Sequence, residues 1–411
     1  MKAHVVIGSG YGDEGKGLFT DYLSSLYNSS TVVRFNGGAQ AGHTVTTDNN
    51  RHVFGHYCSN SLLGKEHISF LSKHFVVNPM LFKKEKESLN KIKVNPFVIV
   101  SPDSLLTLPY DILINQLLEK NRGESKHGSC GVGFGETIER SEKGFPLFMK
   151  DILNNADIIN KIINIKDNYF LDRINQLGLL SELKEYQFLL EDKSINILVN
   201  QVREDFKDIK LSNDLLLKNK NIVFEGAQGL LLDQDLGYFP HVTRSNTGLK
   251  NVIDLIKESE INELDIIYAT RCYTTRHGAG PLENELFEKP YEKIVDNTNI
   301  HNEYQGTLRF SYLNIDLLNK TIKRDIEKAS IPSSIKLNIK LGVSCLDQTE
   351  RVYFYYNNHL RNLSTNEFCK FIENLYPNSL YSFGPSRNTI RNRDLMLSKR
   401  VMYNHYIQNS F

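Results

Sequence analysis

The chain lacks a surplus of either charge. Its 49 Lys+Arg against 48 Asp+Glu leave a formal net charge of +1 over 411 residues. The lysines are scattered rather than gathered in a stripe, so nothing predicts a nucleic-acid or membrane-surface partner. Cysteine is scarce as well. Cys58, Cys130, Cys272, Cys345 and Cys369 are widely spaced, odd in number and without metal-ligand spacing. Reduced thiols are expected, not a disulfide framework or a zinc site. No apolar run is long enough to cross a bilayer, and the opening Met1-Lys2-Ala3-His4-Val5-Val6-Ile7-Gly8 is too short for a secretory signal. A cytoplasmic protein is the expectation. Internal repeats and a clear linker are also missing; length alone allows one large α/β domain or two or three ordinary ones.

What is present is a recurring pattern. Val5-Val6-Ile7, Thr31-Val32-Val33-Arg34-Phe35, Phe97-Val98-Ile99-Val100, Ile222-Val223-Phe224, Ile266-Ile267-Tyr268-Ala269 and Leu341-Gly342-Val343 each run into small or polar residues. These runs have buried-strand length, and longer helical stretches separate several of them. The pattern predicts an α/β fold: a mostly parallel central sheet flanked by helices, with ligand-binding loops at the carboxyl ends of the strands. Residues 151–220, rich in Ile, Asn, Lys and Leu, predict a mainly helical insertion.

The strongest motif is Gly10-Tyr11-Gly12-Asp13-Glu14-Gly15-Lys16-Gly17, between the first strand and a helix predicted over 18–26. Gly10, four residues, then Gly15-Lys16 fits the first part of a P-loop. Glycines let backbone N–H groups face phosphate oxygens, the helix terminus adds positive potential, and Lys16 neutralises a terminal phosphate. Gly17 replaces the usual hydroxyl ligand for magnesium. Asp13 inside the loop points to a metal ligand, a proton acceptor, or both. A second loop, Asn36-Gly37-Gly38-Ala39-Gln40-Ala41-Gly42-His43-Thr44, follows the next strand and offers His43 to a transferring phosphoryl group.

Together these loops resemble those of adenylosuccinate synthetases. The family's Gly-Asp-Glu-Gly-Lys-Gly stands at 12–17, and its Gly-Gly-x-x-Ala-Gly-His-Thr at 37–44. Glu225-Gly226-Ala227-Gln228-Gly229 with Leu231-Leu232-Asp233, and Val242-Thr243-Arg244-Ser245-Asn246-Thr247, follow in order. Thr275-Arg276-His277-Gly278-Ala279-Gly280-Pro281 is similar to the family's Thr-Arg-Val-Gly-Ala-Gly-Pro, and Ser382-Phe383-Gly384-Pro385-Ser386-Arg387 to its Ser-Thr-Gly-Pro-Asp-Arg. The resemblance runs from Val5 to about Arg393, nearly the whole chain, and implies a single large domain over residues 1–411.

The resemblance implies a magnesium-dependent carbon–nitrogen ligase of purine biosynthesis. A nucleoside triphosphate, GTP or ATP, phosphorylates the 6-oxygen of a purine mononucleotide, and the amine of L-aspartate displaces the phosphate to give adenylosuccinate. It implies Asp13 as the base, His43 as stabiliser of phosphoryl transfer, and Asp13 with the Gly42 carbonyl as magnesium ligands. Gly12, Gly15, Lys16, Gly17, Gly42, Thr44, Asp347, Gly384 and Pro385 match triphosphate-binding positions. Gln40, Ser129, Cys130, Gln228, Thr243, Arg276 and Arg309 are the expected substrate contacts. A homodimer with sites completed across its interface is implied too, with Arg140 and Lys143 as candidates to reach the partner's substrate phosphate.

The departures from the family pattern bear on substrate choice. The arginine-rich aspartate loop is represented by Glu303-Tyr304-Gln305-Gly306-Thr307-Leu308-Arg309-Phe310-Ser311-Tyr312, leaving Arg309 and Arg276 for the aspartate carboxylates. The nucleotide loop reads Gly128-Ser129-Cys130-Gly131-Val132-Gly133-Phe134-Gly135-Glu136. The base-recognition loop Ser344-Cys345-Leu346-Asp347 lacks the family's lysine. IMP is the favoured substrate. The alternatives are a (d)GMP-specific succinylaminopurine synthase of the 2-aminoadenine pathway, or a nucleotide-binding pseudoenzyme.

Overall fold

In the computed structural model, which describes residues 1–123, 129–154, 156–295 and 308–392, the apolar runs become strands of one sheet. These are β1 (Lys2–Gly8), β2 (Thr31–Arg34), β3 (Ile68–Leu71), β4 (Phe97–Val100), β5 (Lys210–Leu211) and β6 (Ile222–Gly229). β7 (Glu263–Arg271), β8 (Lys336–Ser344), β9 (Leu380–Ser382) and β10 (Ile390–Arg391) complete it. The ten-stranded order is β10-β9-β8-β7-β1-β6-β2-β3-β4-β5. Every neighbouring pair is parallel except β9–β10. β1, β6 and β7 are buried on both faces, which is why they read as continuous rather than alternating apolar runs.

The expected runs fall inside β1, β2, β4, β6, β7 and β8. β3 has a serine in its four residues, and β5, β9 and β10 are two or three residues long, too short for periodicity to register. A second sheet was not anticipated. It comprises Tyr273–Arg276, Arg309–Asn314, Arg351–Tyr356 and His359–Ser364, with Glu285–Leu286 paired beside Arg309–Asn314. The stretch read as an aspartate loop is therefore a strand from Arg309 onward; its 303–307 part lies outside the described residues.

Helices Met149–Asn154, Ile158–Ile165, Leu171–Gln176 and Asp192–Asp205 lie between β4 and β5 in the chain. In Ile158–Ile165 the buried residues Ile158, Ile162 and Ile165 follow helical spacing and join a core with Phe82, Leu113 and Ile114. A separate core of Val5, Ile7, Phe224, Ile266 and Leu341 packs against the central strands. No helix among the described residues is long and apolar enough to cross a membrane.

Candidate active site

The phosphate loop leaves the carboxyl end of β1, the strand between β6 and β7. Gly12 (φ 120°) and Gly15 (φ 88°) take left-handed backbone conformations that glycine adopts without strain. The helix Lys16–Ser25 begins at Gly15. Gly17 packs so closely that a Cβ there would sit 3.0 Å from His43 Cβ and 3.1 Å from Thr44 O. A serine or threonine side chain would crowd His43 and the Thr44 backbone there, in keeping with the departure from the usual P-loop. Lys16 is buried, donates to Gly12 O and lies 3.2 Å from Glu14 Oε2. Glu14 Oε1 accepts the N–H groups of Gly10 (3.0 Å) and Gly12 (2.7 Å). The loop thus already cradles an anion, that of its own glutamate.

Asp13 opens onto a cleft with 30% of its side chain accessible, and its Oδ2 is 3.6 Å from His277 Nε2. Burial raises its carboxyl above the ordinary value, with Arg271 and His277 opposing. A carboxylate so shifted is a stronger proton acceptor than one in water. Arg271 Nε donates to the Asp13 carbonyl, which anchors the loop from the end of β7.

His43 starts the hairpin strand Thr-rich His43–Thr46 and is buried beside two further charges. Its Nδ1 lies 2.6 Å from Glu225 Oε1, on β6, and 2.7 Å from Arg34 Nη1, on β2. One ring nitrogen cannot donate to the carboxylate and accept from the guanidinium together. Glu225 is held low, at about 2, by His43 and Arg34 despite its burial, so it is ionised. The proton then belongs on Nδ1, and Arg34 Nη1 pairs with Glu225 Oε2 at 3.7 Å. Ser59 Oγ and the Ser59 N–H complete the carboxylate's shell. Burial and Arg34 push His43 down to about 4. Its Nε2 faces Ala227 O at 3.3 Å.

A cleft of about 680 Å³ gathers Gly12, Asp13, Gln40, Gly42, His43, Ser129, Cys130, Gln228, Thr243 and Arg276. Both polar atoms of the Gln40 amide are buried without a hydrogen-bond partner. An orphaned amide facing a cleft is the mark of a site built for a polar ligand. Asp347, exposed after β8, and Gly384-Pro385, after β9, stand outside this cleft but on the same sheet edge as the phosphate loop, because β8 and β9 are parallel neighbours. Gly15 approaches the end of β8, where a Cβ on it would lie 3.3 Å from Ser344, and Gly17 approaches His43 and Thr44; Lys16 between them is buried.

With this geometry established, the comparisons decide the family. The sequence profile of the adenylosuccinate synthetase family, "Adenylosuccinate synthetase", matches residues 5–323. The chain belongs to that family of carbon–nitrogen ligases. It is 34% identical over 292 residues to adenylosuccinate synthetase of Buchnera aphidicola subsp. Schizaphis graminum, covering 69% of this chain and 65% of that protein, just under two thirds of its length. It is 31% identical over 329 residues to that of Clostridium novyi, covering 79% and 75%. Among solved structures, the fully ligated adenylosuccinate synthetase from Plasmodium falciparum superposes with a TM-score of 0.74 at 18% identity, over 94% of this chain and 99% of that one. The cyanophage S-2L succinoaminodeoxyadenylate synthetase, bound to dGMP and dATP, gives 0.60 at 13%, over 98% and 99%. At those identities the structural likeness is one of fold.

Against the family pattern, two arginines have other tasks here. Arg276 lines the cleft, but its guanidinium donates to Ala279 O (3.2 Å), Pro281 O (2.7 Å) and His241 O (3.3 Å) and lies 4.4 Å from the Tyr11 ring centroid. Arg309 is absent from the cleft wall; it forks onto Glu285 and donates to Gly278 O and Gly280 O. Both hold the 276–281 turn rather than presenting free cations. Arg140 is fully buried on Asp111, Leu106 O and Phe145 O, so it cannot reach a neighbouring copy, while Lys143 is exposed at the end of Phe134–Glu142. Gly128 lies outside the described residues. The sequence reading assigned no task to Glu225, Arg34, Arg271 or His277. Glu225 opens one family-like motif within β6, His277 lies inside another, and Arg34 ends β2, which was the available signal.

Proposed function

We propose that this enzyme joins a purine mononucleotide, IMP by preference, to L-aspartate through a 6-phosphoryl intermediate formed from GTP or ATP. The observation that carries the reading is the Asp13 carboxylate, shifted toward proton uptake, opening onto the same cleft as His43, Gln228 and the orphaned Gln40 amide. Asp13 removes the proton from purine N1. The resulting 6-oxyanion attacks the γ-phosphorus, an O6–P bond forms, and the bond to the β-phosphate oxygen breaks. Lys16 neutralises charge on the transferring group once the incoming phosphates displace Glu14 from it. His43, oriented through Nδ1 by Glu225, meets the phosphoryl oxygens with Nε2. The arriving anion offsets the burial and the Arg34 charge that keep the ring neutral, so Nε2 takes a proton from water and donates it in a hydrogen bond to the phosphoryl oxygens. The aspartate amine then forms the N–C6 bond, phosphate departs with O6, and the nitrogen loses its proton.

Asp13 and Gly42 line one cleft. The Asp13 carboxylate and the Gly42 carbonyl are oxygen donors that would hold magnesium, which would neutralise triphosphate charge there. We assign Lys143 as the residue that reaches a partner's substrate in a homodimer. Residues 151–220 stand as a helical insertion whose Arg173 and Leu177 supply part of the cleft wall.

The test is phosphate release with magnesium, crossing GTP and ATP against IMP, dIMP, GMP and dGMP, each with and without aspartate. Aspartate-dependent release with IMP is the expected result. Release confined to dGMP would replace IMP in the scheme, and silence in every combination would refute the ligase reading.

A further inference from the structure

The turn after strand Tyr273–Arg276 is fixed from several sides. Arg276 binds Ala279 O and Pro281 O, and Arg309 Nη1 binds Gly278 O (3.0 Å) and Gly280 O (2.8 Å). Gly278 (φ 71°) and Gly280 (φ 106°) take left-handed conformations, and a Cβ on Gly280 would lie 2.3 Å from Arg276 Nη2. Two arginines and two glycines therefore define one course for this short segment. That course brings His277 to the cleft wall, with its Nε2 3.6 Å from Asp13 Oδ2. The side chains are 18% and 30% accessible, so the pair is largely withdrawn from water. His277 Nδ1 is buried with no hydrogen-bond partner, so ring orientation is not set by a bond from that nitrogen. The Asp13 backbone is separately anchored by Arg271.

We propose that His277 is a positioning residue for Asp13, its Nε2–H orienting the carboxylate toward the purine edge. The inference rests on the reading of Asp13 as the base. At 3.6 Å the contact exceeds a hydrogen bond. Catalytic contacts of this kind commonly shorten when substrate fills the site.

The test compares His277→Leu, which keeps bulk and removes both nitrogens, with His277→Gln, which restores an N–H donor. His277→Leu is expected to lower kcat about 10–100-fold, as loss of a supporting partner typically does, with KM for nucleotide and aspartate unchanged. His277→Gln should recover most of that loss. Full kcat in His277→Leu overturns the proposal. So does a change confined to KM, which would make His277 a substrate contact, or a Gln variant no better than Leu, which would make the ring merely structural. Crystal structures of the wild type and both variants give a second readout. The Asp13 carboxylate should hold one orientation in the wild type and the Gln variant, and rotate or split in the Leu variant; one unchanged orientation in all three overturns the proposal. This readout needs no turnover, so a wild-type enzyme silent with every purine would sink the ligase reading while the positioning claim is judged on its own.

Discussion

Glu225 Oε1 sits 2.6 Å from His43 Nδ1, and both side chains are buried. A buried carboxylate that accepts the Nδ1–H hydrogen bond fixes which nitrogen of the imidazole meets the ligand. Glu225→Gln keeps the shape and removes the charge. It should lower kcat about 10–100-fold, the usual effect of losing a supporting partner, while KM for both nucleotides changes little. Steady-state phosphate release checks this, and an unaltered kcat would remove Glu225 from the mechanism.

In the proposed reaction, Asp13→Asn cannot accept the purine proton. Its turnover should fall at least about 100-fold, the lower range for loss of a general base. Triphosphate binding, measured by calorimetry without magnesium, should persist, because Lys16 and the loop N–H groups are untouched. An active Asp13→Ala enzyme would end the base assignment.

Arg140 is a structural cation. It pairs with Asp111 through Nε (2.9 Å) and Nη2 (3.0 Å), and both residues are fully buried. Arg140→Met should cost about 3–5 kcal/mol, because it strands a buried carboxylate. Arg140→Met with Asp111→Leu should recover most of that in urea unfolding. A normal midpoint accompanied by a raised nucleotide KM would instead return Arg140 to the role of a partner-chain contact.

Asp21, in the helix that follows the phosphate loop, is pushed from 3.8 up to about 7 by burial, against the pull of Arg387. Arg387 Nη1 is 3.0 Å from its Oδ1, and Oδ2 is buried without a partner. The folded chain keeps this proton where the unfolded chain has released it. The stabilising contribution is therefore complete below pH 3.8 and lost as pH rises through about 7. Asp21→Asn should gain on the wild type across that window, by at most about 1.4 kcal/mol per pH unit. Unfolding midpoints measured across the window check it; parallel curves would show that Asp21 does not titrate there.

How much of this could be read beforehand follows physical lines. The phosphate loop and the His43 loop were legible because glycine spacing and strand-to-helix context are local properties. β1, β6 and β7 were legible because strands buried on both faces are apolar throughout. Arg309 was not legible in its actual role: a sequence shows that a cation is present, but not that Glu285 and two carbonyls across a turn engage it. Arg140 failed for the same reason, since Asp111 lies far from it in the chain. The pairing of Asp13 with His277 depends on β1 and β7 being neighbours, a relation no local pattern encodes.

The cleft has two walls of different construction. On one side, sheet-end loops aim Asp13, His43 and Gln228; on the other, helices supply Arg173 and Leu177, with Phe134 and Arg244 nearby. A change of side chain on the helical wall would alter the space available to a nucleotide without moving the strands that aim the reacting groups. Attempts to change which ligand the cleft accepts should begin there, leaving the sheet edge as it is.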